Sequence, residues 1–364
     1  MIMKILYLYS DHKWTGPSQP IVELCNYMSK KADVMLLTSV PKIPDTGLIF
    51  HVESGRVKTV QTLAKRGGIG AMMRNRRVAK QVVQQFDPDI IHFFRDRDLA
   101  VHLGSSHKAV KIFTDFNVTP PGFLKKTICK KADVFTVFSL KLRDMLQNDF
   151  RKVVCLKPWL DIHQIPKKPK NIRPEFGLND DDFVVGLVMR VQHHRKFELV
   201  VEVVKIIKES GKNIKFLLLG RGPNLNKLAV MPVKKNKLED SVIFGGYKRL
   251  DYWDAVHCFD VMFYTVAGSD GTARALRQCQ VLGKPAICLK RDFVEEIVHD
   301  GIDGFVAGDD PKEIAERLLA LFSQKDMLFE FSKRSAAQGR KYDLENVGGE
   351  IYALYEECIK STRP

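Results

Sequence analysis

The 364-residue sequence lacks the features that mark a membrane-spanning or secreted chain. No uninterrupted apolar run reaches about 18 residues, so no transmembrane helix is expected. The apolar run Ile5–Tyr9 is short and contains tyrosine, and no small-residue cleavage site follows it, which predicts a β-strand rather than a signal peptide. The seven cysteines are scattered and never spaced C-x-x-C. This pattern favours a reducing, cytoplasmic location over a disulfide or zinc framework.

Acidic residues are scarce in the first half of the chain. Residues 1–165 hold 26 Lys and Arg against 14 Asp and Glu, a net charge of +12. Residues 166–364 hold 32 against 29, a net charge of only +3. The asymmetry predicts an anionic partner for the first half, such as a membrane surface, a nucleic acid or an acidic substrate.

Short, continuous apolar runs alternate with longer stretches of helical spacing. Such runs are typical of strands that are buried on both faces of a parallel sheet. The series occurs twice, first from Ile5 to Phe138 and again from Phe183 to Leu289. We therefore predict an α/β protein of two doubly wound, Rossmann-like domains that face each other across a cleft.

A lysine-rich segment with four prolines, Pro158–Pro174, separates the two series and predicts an interdomain linker. The expected domains are residues 1–165 and residues 166–343. The last helical stretch, 344–361, is long enough to pack back on the first domain, and we expect it to do so.

The segment from Asp260 to Leu289 carries the most chemical information. A strand runs into a loop of small residues, and a helix begins near Gly271 and Thr272. With Ala273, these residues leave backbone N–H groups exposed at a helix N-terminus, which suits a diphosphate. Arg274 then either meets that anion or is a solvated surface residue. The simplest role for Asp270 is to cap the helix.

This segment resembles the donor site of retaining GT-B glycosyltransferases of family 4 (glycosyl transferases group 1), with the pattern E-G-x-G-x-x-x-x-E-A-x-x-x-G-x-P. Asp270 and Gln278 fall on its two Glu positions. The resemblance implies that Asp270 contacts donor-sugar hydroxyls and that Gln278 binds the nucleotide ribose. Both keep a hydroxyl-binding oxygen, but the motif is degenerate.

Further motifs follow in the family's order. Gly186–Phe197 resembles the G-R-x-x-x-x-K-G segment, which implies that Arg190 and Arg195 clamp the donor diphosphate, with Lys196 where Gly is usual. Gly222 belongs to a G-x-G-P segment, and Tyr247 ends the segment Val242–Tyr247, which resembles the one whose backbone meets the nucleobase. The G-x-G lacks the third Gly of a dinucleotide fingerprint, so no nicotinamide cofactor is expected.

The first domain resembles the family more loosely. Gly16 stands where a Gly-rich loop approaches the donor phosphates, and His92 ends a P-D-x-x-H strand. Arg95 and Arg97 follow that strand, so we assign acceptor binding to His92, Arg95 and Arg97. Many relatives carry a cleft histidine after the fourth strand; Asp115 is the nearest candidate here.

The resemblance implies a retaining transferase that moves a sugar from UDP- or GDP-sugar to an acceptor hydroxyl, in the synthesis of a cell-surface glycan or glycolipid. Two cations and a helix N-terminus would stabilise the leaving diphosphate. We expect no metal cofactor, because the D-x-D of Asp180–Asp182 precedes a strand and predicts a turn. His193 and His194 have no third ligand at suitable spacing.

Two other functions fit the same fold. Gln278 and the missing histidine would suit a non-catalytic glycosyltransferase-like subunit that binds nucleotide sugar or glycan. A sugar-nucleotide epimerase would need catalytic carboxylates and histidines that this sequence places poorly. Nucleic-acid binding is not expected, since no helix-turn-helix, zinc-finger or RRM signature is present.

A basic segment in the first half predicts an amphipathic helix suited to anionic lipid. Cations surround four apolar residues there: Lys58, Lys65, Arg66, Arg74, Arg76, Arg77 and Lys80 around Leu63, Ile69, Met72 and Met73. A second cluster comprises Lys125, Lys126, Lys130 and Lys131. Each cluster alone also fits a solvated surface, so peripheral contact with the inner face of the membrane stays open.

Overall fold

The chain forms two units, each built on one parallel β-sheet. The computed structural model describes residues 2–41, 43, 47–65, 67–102, 108–267, 273–291 and 293–362. Among these, residues up to Asp161 and from Tyr342 onward form unit 1, and residues between Ile162 and Lys341 form unit 2. The helix-covered parallel sheets confirm the predicted doubly wound α/β class.

Unit 1 contains a seven-stranded sheet with the strand order β3-β2-β1-β4-β5-β6-β7. Its strands are β1 (Lys4–Tyr9), β2 (Asp33–Ser39), β3 (Val57–Leu63), β4 (Ile90–Phe93), β5 (Val110–Thr114), β6 (Val134–Val137) and β7 (Val153–Cys155). Its helices are α1 (Ser18–Met28), α2 (Ile69–Phe86), α3 (Asp96–His102), α4 (Phe123–Cys129), α5 (Leu140–Leu146) and α12 (Leu344–Thr362).

Unit 2 contains a six-stranded sheet with the strand order β10-β9-β8-β11-β12-β13. Its strands are β8 (Phe183–Val188), β9 (Ile214–Leu219), β10 (Val242–Gly246), β11 (Val261–Tyr264), β12 (Ala286–Leu289) and β13 (Gly304–Ala307). Its helices are α6 (Phe197–Glu209), α7 (Met231–Lys235), α8 (Tyr252–His257), α9 (Arg274–Val281), α10 (Pro311–Ser323) and α11 (Lys325–Gly339).

Three strands escaped prediction: β3, β7 and β13. Each lies at the edge of its sheet. An edge strand is partly solvated, so it needs no continuous apolar run, and Val57–Leu63 carries Lys58 and other exposed polar side chains. The structure therefore corrects the predicted basic helix: Lys58 and Leu63 lie on β3, and the helix begins only at Ile69.

The core of unit 1 has two layers because successive side chains of a strand point to opposite faces. Ile5 and Tyr7 of β1 pack in the cluster formed with α1 and α12. Leu6 and Leu8 pack in the other cluster, with the buried face of α2. This alternation accounts for the unbroken apolar run at the start of the sequence.

The C-terminal helix α12 packs on the unit 1 sheet beside α1. Gly348 permits the close approach, because a Cβ atom there would lie 2.4 Å from the ring of Tyr27. The Tyr27 hydroxyl donates a hydrogen bond to the Glu345 carbonyl, at 3.1 Å. Throughout the described ranges, no helix combines the length and the apolar character needed to cross a bilayer.

Candidate functional site

The loops after β8 and β9 touch each other at the carboxyl edge of the unit 2 sheet. The Met189 amide donates to the Leu219 carbonyl at 3.1 Å, and the Val191 amide donates to the Arg221 carbonyl at 3.2 Å. A Cβ atom on Gly220 would lie 1.9 Å from the Met189 carbonyl oxygen, and one on Gly222 would lie 2.4 Å from that of Val191. The G-x-G motif therefore lets two backbones meet, which is a packing role for Gly222.

Arg190 and Arg195 lie in the loop that follows β8, but in different surroundings. Arg190 is exposed, and no acidic side chain among the described residues pairs with it. Arg195 is half-buried: its guanidinium donates to the Val266 carbonyl, and its backbone carbonyl accepts from the Thr265 hydroxyl at 2.8 Å. Burial lowers the pKa of Arg195. Its buried Nε has no hydrogen-bond partner within the described ranges.

These contacts aim the Arg195 side chain at the segment that joins β11 to α9. The described part of that segment ends at Ala267, one residue after Val266, and α9 begins at Arg274. The predicted donor residues Asp270, Gly271 and Thr272 lie outside the described residues. The structure thus holds one predicted cation, Arg195, against Val266 in the described part of this segment.

Lys196 adopts the left-handed backbone conformation, with φ of +53°. Glycine is favoured in that conformation, which gives a physical reason for the usual Gly at this position in the family that the segment resembles. The Lys196 Nζ lies 2.5 Å from the Asp309 carboxylate, which Arg291 also pairs. The charge of Lys196 is therefore balanced by Asp309, a carboxylate of its own unit.

Arg221 is a site candidate that the sequence analysis did not single out. Its guanidinium lies 4.2 Å from the ring centre of Tyr247, a cation–π contact at the carboxyl edge. Tyr247 is about half exposed, and Gly220 donates to the carbonyl of its neighbour Gly246 at 2.7 Å. The sequence does contain a signal for Arg221, because it is an arginine that follows the buried strand β9 closely.

Helix α9 holds two predicted site residues inside unit 2. Arg274 is only 9% exposed, so the solvated-surface alternative is wrong. The Gln278 side chain is also buried, and its Oε1 accepts a hydrogen bond from the Tyr252 hydroxyl at 2.8 Å. Ala273, the residue before the helix, has a φ of +48°. One acceptor position of the Gln278 amide oxygen is therefore already occupied within unit 2.

Arg95 and Arg97 both lie at the carboxyl edge of the unit 1 sheet. Arg95 donates to the Ser10 carbonyl at 3.0 Å and lies 3.5 Å from the Asp11 carboxylate. Arg97 donates to the Lys65 carbonyl at 2.5 Å. Arg95 therefore joins the ends of β4 and β1, and Arg97 holds the loop that leads into α2.

Asp115 follows β5 directly and is buried. The Lys125 Nζ lies 2.7 Å from both carboxylate oxygens, and the Asn117 amide donates to Oδ1 at 3.0 Å. A buried carboxylate needs such compensation. The structure places Asp115 at the predicted edge, but as half of an ion pair rather than as an open cleft residue.

The structure corrects the assignment of His92 to acceptor binding. Its side chain is fully buried in β4, with 0% exposure. Nδ1 lies 2.6 Å from the Tyr355 hydroxyl of α12, and Nε2 lies 2.6 Å from the Thr114 hydroxyl. Burial lowers the pKa of His92 to about 3, so the imidazole is neutral. Both ring nitrogens are engaged within unit 1, and the side chain ties the last helix to the sheet.

Two further features lie beside the β1–α1 loop. Gly16 is exposed in that loop, as a phosphate-approaching residue would be. Asp98, which was not among the predicted site residues, is buried and accepts a hydrogen bond from the Ser10 amide at 2.9 Å. Burial raises the pKa of Asp98 to about 6. Its signal in the sequence is only that it follows a strand by a few residues.

The acidic run before β8 forms local turns. Asp182 accepts from the Asn179 amide at 2.8 Å and from the Asn213 side chain at 2.8 Å. Asp180 accepts from the Asn171 side chain at 3.1 Å. Both carboxylates thus cap neighbouring N–H groups at the amino edge of unit 2, as a turn requires.

The whole chain superposes on solved glycosyltransferases. A glycosyltransferase from Rickettsia africae aligns with a TM-score of 0.83 at 12% identity, over 99% of each chain. The Anabaena protein HepE, solved in complex with UDP and glucose, aligns with a TM-score of 0.81 at 15% identity, over 98% of this chain and 100% of that one. The fold is GT-B.

Sequence relationships to this GT-B chain are distant but consistent. Residues 169–342, nearly all of unit 2, match the family model of glycosyl transferases group 1. An uncharacterized glycosyltransferase of Methanocaldococcus jannaschii is 22% identical over 62% of this chain and 60% of that protein. Alpha-monoglucosyldiacylglycerol synthase of Acholeplasma laidlawii is 20% identical over 57% and 51%. The chain spans less than two thirds of the length of these curated relatives.

Proposed function

We propose that the protein is a retaining glycosyltransferase of family 4 that transfers a hexose from a nucleotide-diphosphate sugar to an acceptor hydroxyl. Unit 2 would bind the donor, and unit 1 would bind the acceptor. The family match of residues 169–342 supports the first assignment. The scattered cysteines favour a cytoplasmic location.

The observation that carries the proposal is the unequal pair of arginines after β8. Arg190 is exposed with no acidic partner among the described residues, so it is available to an anion. Arg195 is held by the Val266 carbonyl near the end of β11. Two cations in the loop after β8, one of them held against the segment that leads to α9, suit the two phosphates of a nucleotide sugar.

The chemistry follows from where charge develops. As the sugar–phosphate bond breaks, negative charge grows on the leaving diphosphate, and Arg190 and Arg195 would stabilise it. Arg195 is pre-positioned by its carbonyl contact, so little reorganisation is needed. In the route that we propose, no protein nucleophile takes part: the acceptor hydroxyl attacks from the leaving-group face, and an oxygen of the departing diphosphate takes its proton.

HepE, the structural neighbour with UDP and glucose, supports a uridine nucleotide as the first donor to test. The Acholeplasma relative acts in glycolipid synthesis by its name, which supports a lipid-borne or glycan acceptor. The contact between Arg221 and Tyr247 lies at the carboxyl edge of unit 2 and offers a flat surface on which the base of that nucleotide could stack.

A panel of UDP- and GDP-sugars, read by thermal shift, tests donor binding. We expect at least one to raise the melting temperature, and Arg190→Ala to weaken that binding by about tenfold to a hundredfold, as for a lost charge-assisted hydrogen bond. Arg334→Ala, which removes an exposed cation from α11, is the matched control. A wild type that responds to no nucleotide sugar would rule the proposal out.

The non-catalytic alternative is favoured by one observation, the capture of Gln278 by Tyr252. An assay of the hydrolysis of the best-bound nucleotide sugar, in which released UDP or GDP is measured, distinguishes the transferase from the binding subunit. Turnover supports the transferase. Binding without turnover, even with glycan and lipid acceptors supplied, supports the binding subunit.

A further inference from the structure

The outward side of α2 presents an unusual order of residues. Its exposed face, which we call the α2 face, comprises Ile69, Met72, Met73, Arg76, Arg77 and Lys80, spaced as one side of a helix. Ile69 is 75% exposed and Met73 is 65% exposed. The opposite side, with Ala79 and Val83, is buried against the sheet. The α2 face therefore begins with apolar side chains and continues with cations.

The cations of α2 are uncompensated. The helix contains no Asp or Glu. Across the ranges that the structure describes, Arg74, Arg76, Arg77 and Lys80 form no ion pair with an acidic side chain. The other predicted basic cluster differs, because Lys125 pairs with Asp115 and Lys126 lies 2.6 Å from the Asp149 carboxylate. Two of the four lysines of that cluster are thus neutralised by carboxylates, whereas none of the four α2 cations is paired among the described residues.

A second apolar group lies at the beginning of α4. Phe123 is 87% exposed and Leu124 is 74% exposed. In a parallel sheet, the helix after each strand begins at the carboxyl edge, so α2 and α4 begin at the same edge of unit 1. Both helices contact α3, which places them on one face of the sheet. The two apolar helix starts therefore flank α3 at one end of the unit.

The start of α2 is held in place by side chains. Asn75 bonds Ala64 twice, by accepting from its amide at 2.8 Å and by donating to its carbonyl at 2.9 Å. Arg97 secures the next residue, Lys65, through its carbonyl. The exposed apolar residues therefore lie on an anchored helix. Burying them against a partner would be favourable by about 25 cal/mol per Å² of apolar surface.

We propose that the α2 face and the start of α4 form a docking surface for an anionic lipid bilayer. The apolar side chains would enter the headgroup region, and Arg76, Arg77 and Lys80 would contact lipid phosphates. Exposed apolar side chains followed by unpaired cations on one helix face match an interfacial helix on anionic lipid, which offers both an apolar layer and phosphates. The same edge carries Arg95, which places a membrane-borne acceptor within reach of unit 1 loops.

Sedimentation with vesicles tests the surface without any assay of transfer. The full chain is mixed with phosphatidylcholine vesicles, either pure or with about one-third phosphatidylglycerol, at low and at high salt. We expect binding only to the anionic vesicles, weakened by salt. Arg76→Gln, Arg77→Gln and Lys80→Gln together should weaken binding on the order of a hundredfold, at about fivefold per cation. Met72→Gln with Met73→Gln should weaken it too.

Helix α11 in unit 2 offers a matched control surface, since it exposes Phe329, Lys333 and Arg334. Phe329→Gln, Lys333→Gln and Arg334→Gln should leave vesicle binding unchanged. An equal loss in this control, or a wild type that fails to bind anionic vesicles at low salt, would overturn the proposal. Concentration-dependent dimerisation that the methionine variant abolishes, without vesicle binding, would assign the surface to a second copy of the chain. None of these results bears on the proposal that unit 2 binds the donor.

Discussion

The Tyr355 hydroxyl lies 2.6 Å from Nδ1 of His92, and this contact joins the last helix of the chain to the fourth strand of its first sheet. The Tyr7 hydroxyl lies 3.2 Å from that of Tyr355 and extends the network to β1. His92 and Tyr355 are 263 positions apart in the sequence. His92, which the sequence analysis assigned to acceptor binding, is therefore a structural residue that fastens α12 to the sheet of unit 1.

His92→Phe should lower the free energy of unfolding by about 2–4 kcal/mol, because it leaves the buried hydroxyls of Tyr355 and Thr114 each without one partner. Urea denaturation measures the loss. His194→Phe, at an exposed position, is the control and should change stability by less than about 0.5 kcal/mol. A His92→Phe variant of unchanged stability but altered acceptor KM would restore the acceptor-binding role.

The same variant has a pH signature. The pKa of His92 is about 3 in the folded protein, below its usual value of 6.5, so the unfolded chain binds the extra proton between those limits. Wild-type stability contributed by the neutral imidazole is present above pH 6.5 and is lost as the pH falls toward 3, by about 1.4 kcal/mol per pH unit. The gap between wild type and His92→Phe should therefore narrow on acidification.

Asp98 should show the opposite dependence. Burial raises its pKa from 3.8 to about 6, so the folded protein binds more protons in that window and stability falls as the pH rises through it. Asp98→Asn keeps an oxygen for the Ser10 amide and removes the titration. We expect it to gain roughly 1–3 kcal/mol at pH near 7.5 and to flatten the slope between about pH 4 and 6.

Thermal melts of wild type and Asp98→Asn across that pH range make the comparison. Asp96→Asn, at a half-buried neighbouring position, is the control and should keep the wild-type slope. An Asp98→Asn slope identical to that of the wild type would mean that Asp98 is ionised in both states.

Gly220→Ala should destabilise unit 2 by about 3 kcal/mol or more, since its Cβ atom would meet the Met189 carbonyl and its φ of +154° disfavours a side chain. Gly211→Ala has a similarly unfavourable φ of +70° but open space around it, and should cost only about 1 kcal/mol. Urea denaturation compares the two variants. Equal losses would show that backbone conformation, rather than the contact of the β8 and β9 loops, sets the requirement for glycine.

The sequence alone predicted the alternation of strands and helices, and the central strands in particular. Ile5–Tyr9 and Phe183–Val188 are buried on both faces, so each must be a continuous apolar run. The edge strand Val57–Leu63 was missed because solvent reaches one of its sides. The same local view wrongly extended a basic helix back through it.

For the candidate site, the sequence determined which residues follow the strands, and strand ends in a parallel sheet share one edge. That rule placed Arg190, Arg195 and Asp115 correctly at the carboxyl edges. What each side chain does there depends on partners distant in sequence: Val266 for Arg195, Lys125 for Asp115 and Tyr355 for His92. Only the tertiary structure decided those pairings, because burial and hydrogen bonding are set by which segments meet in space, and spacing along the chain does not encode that.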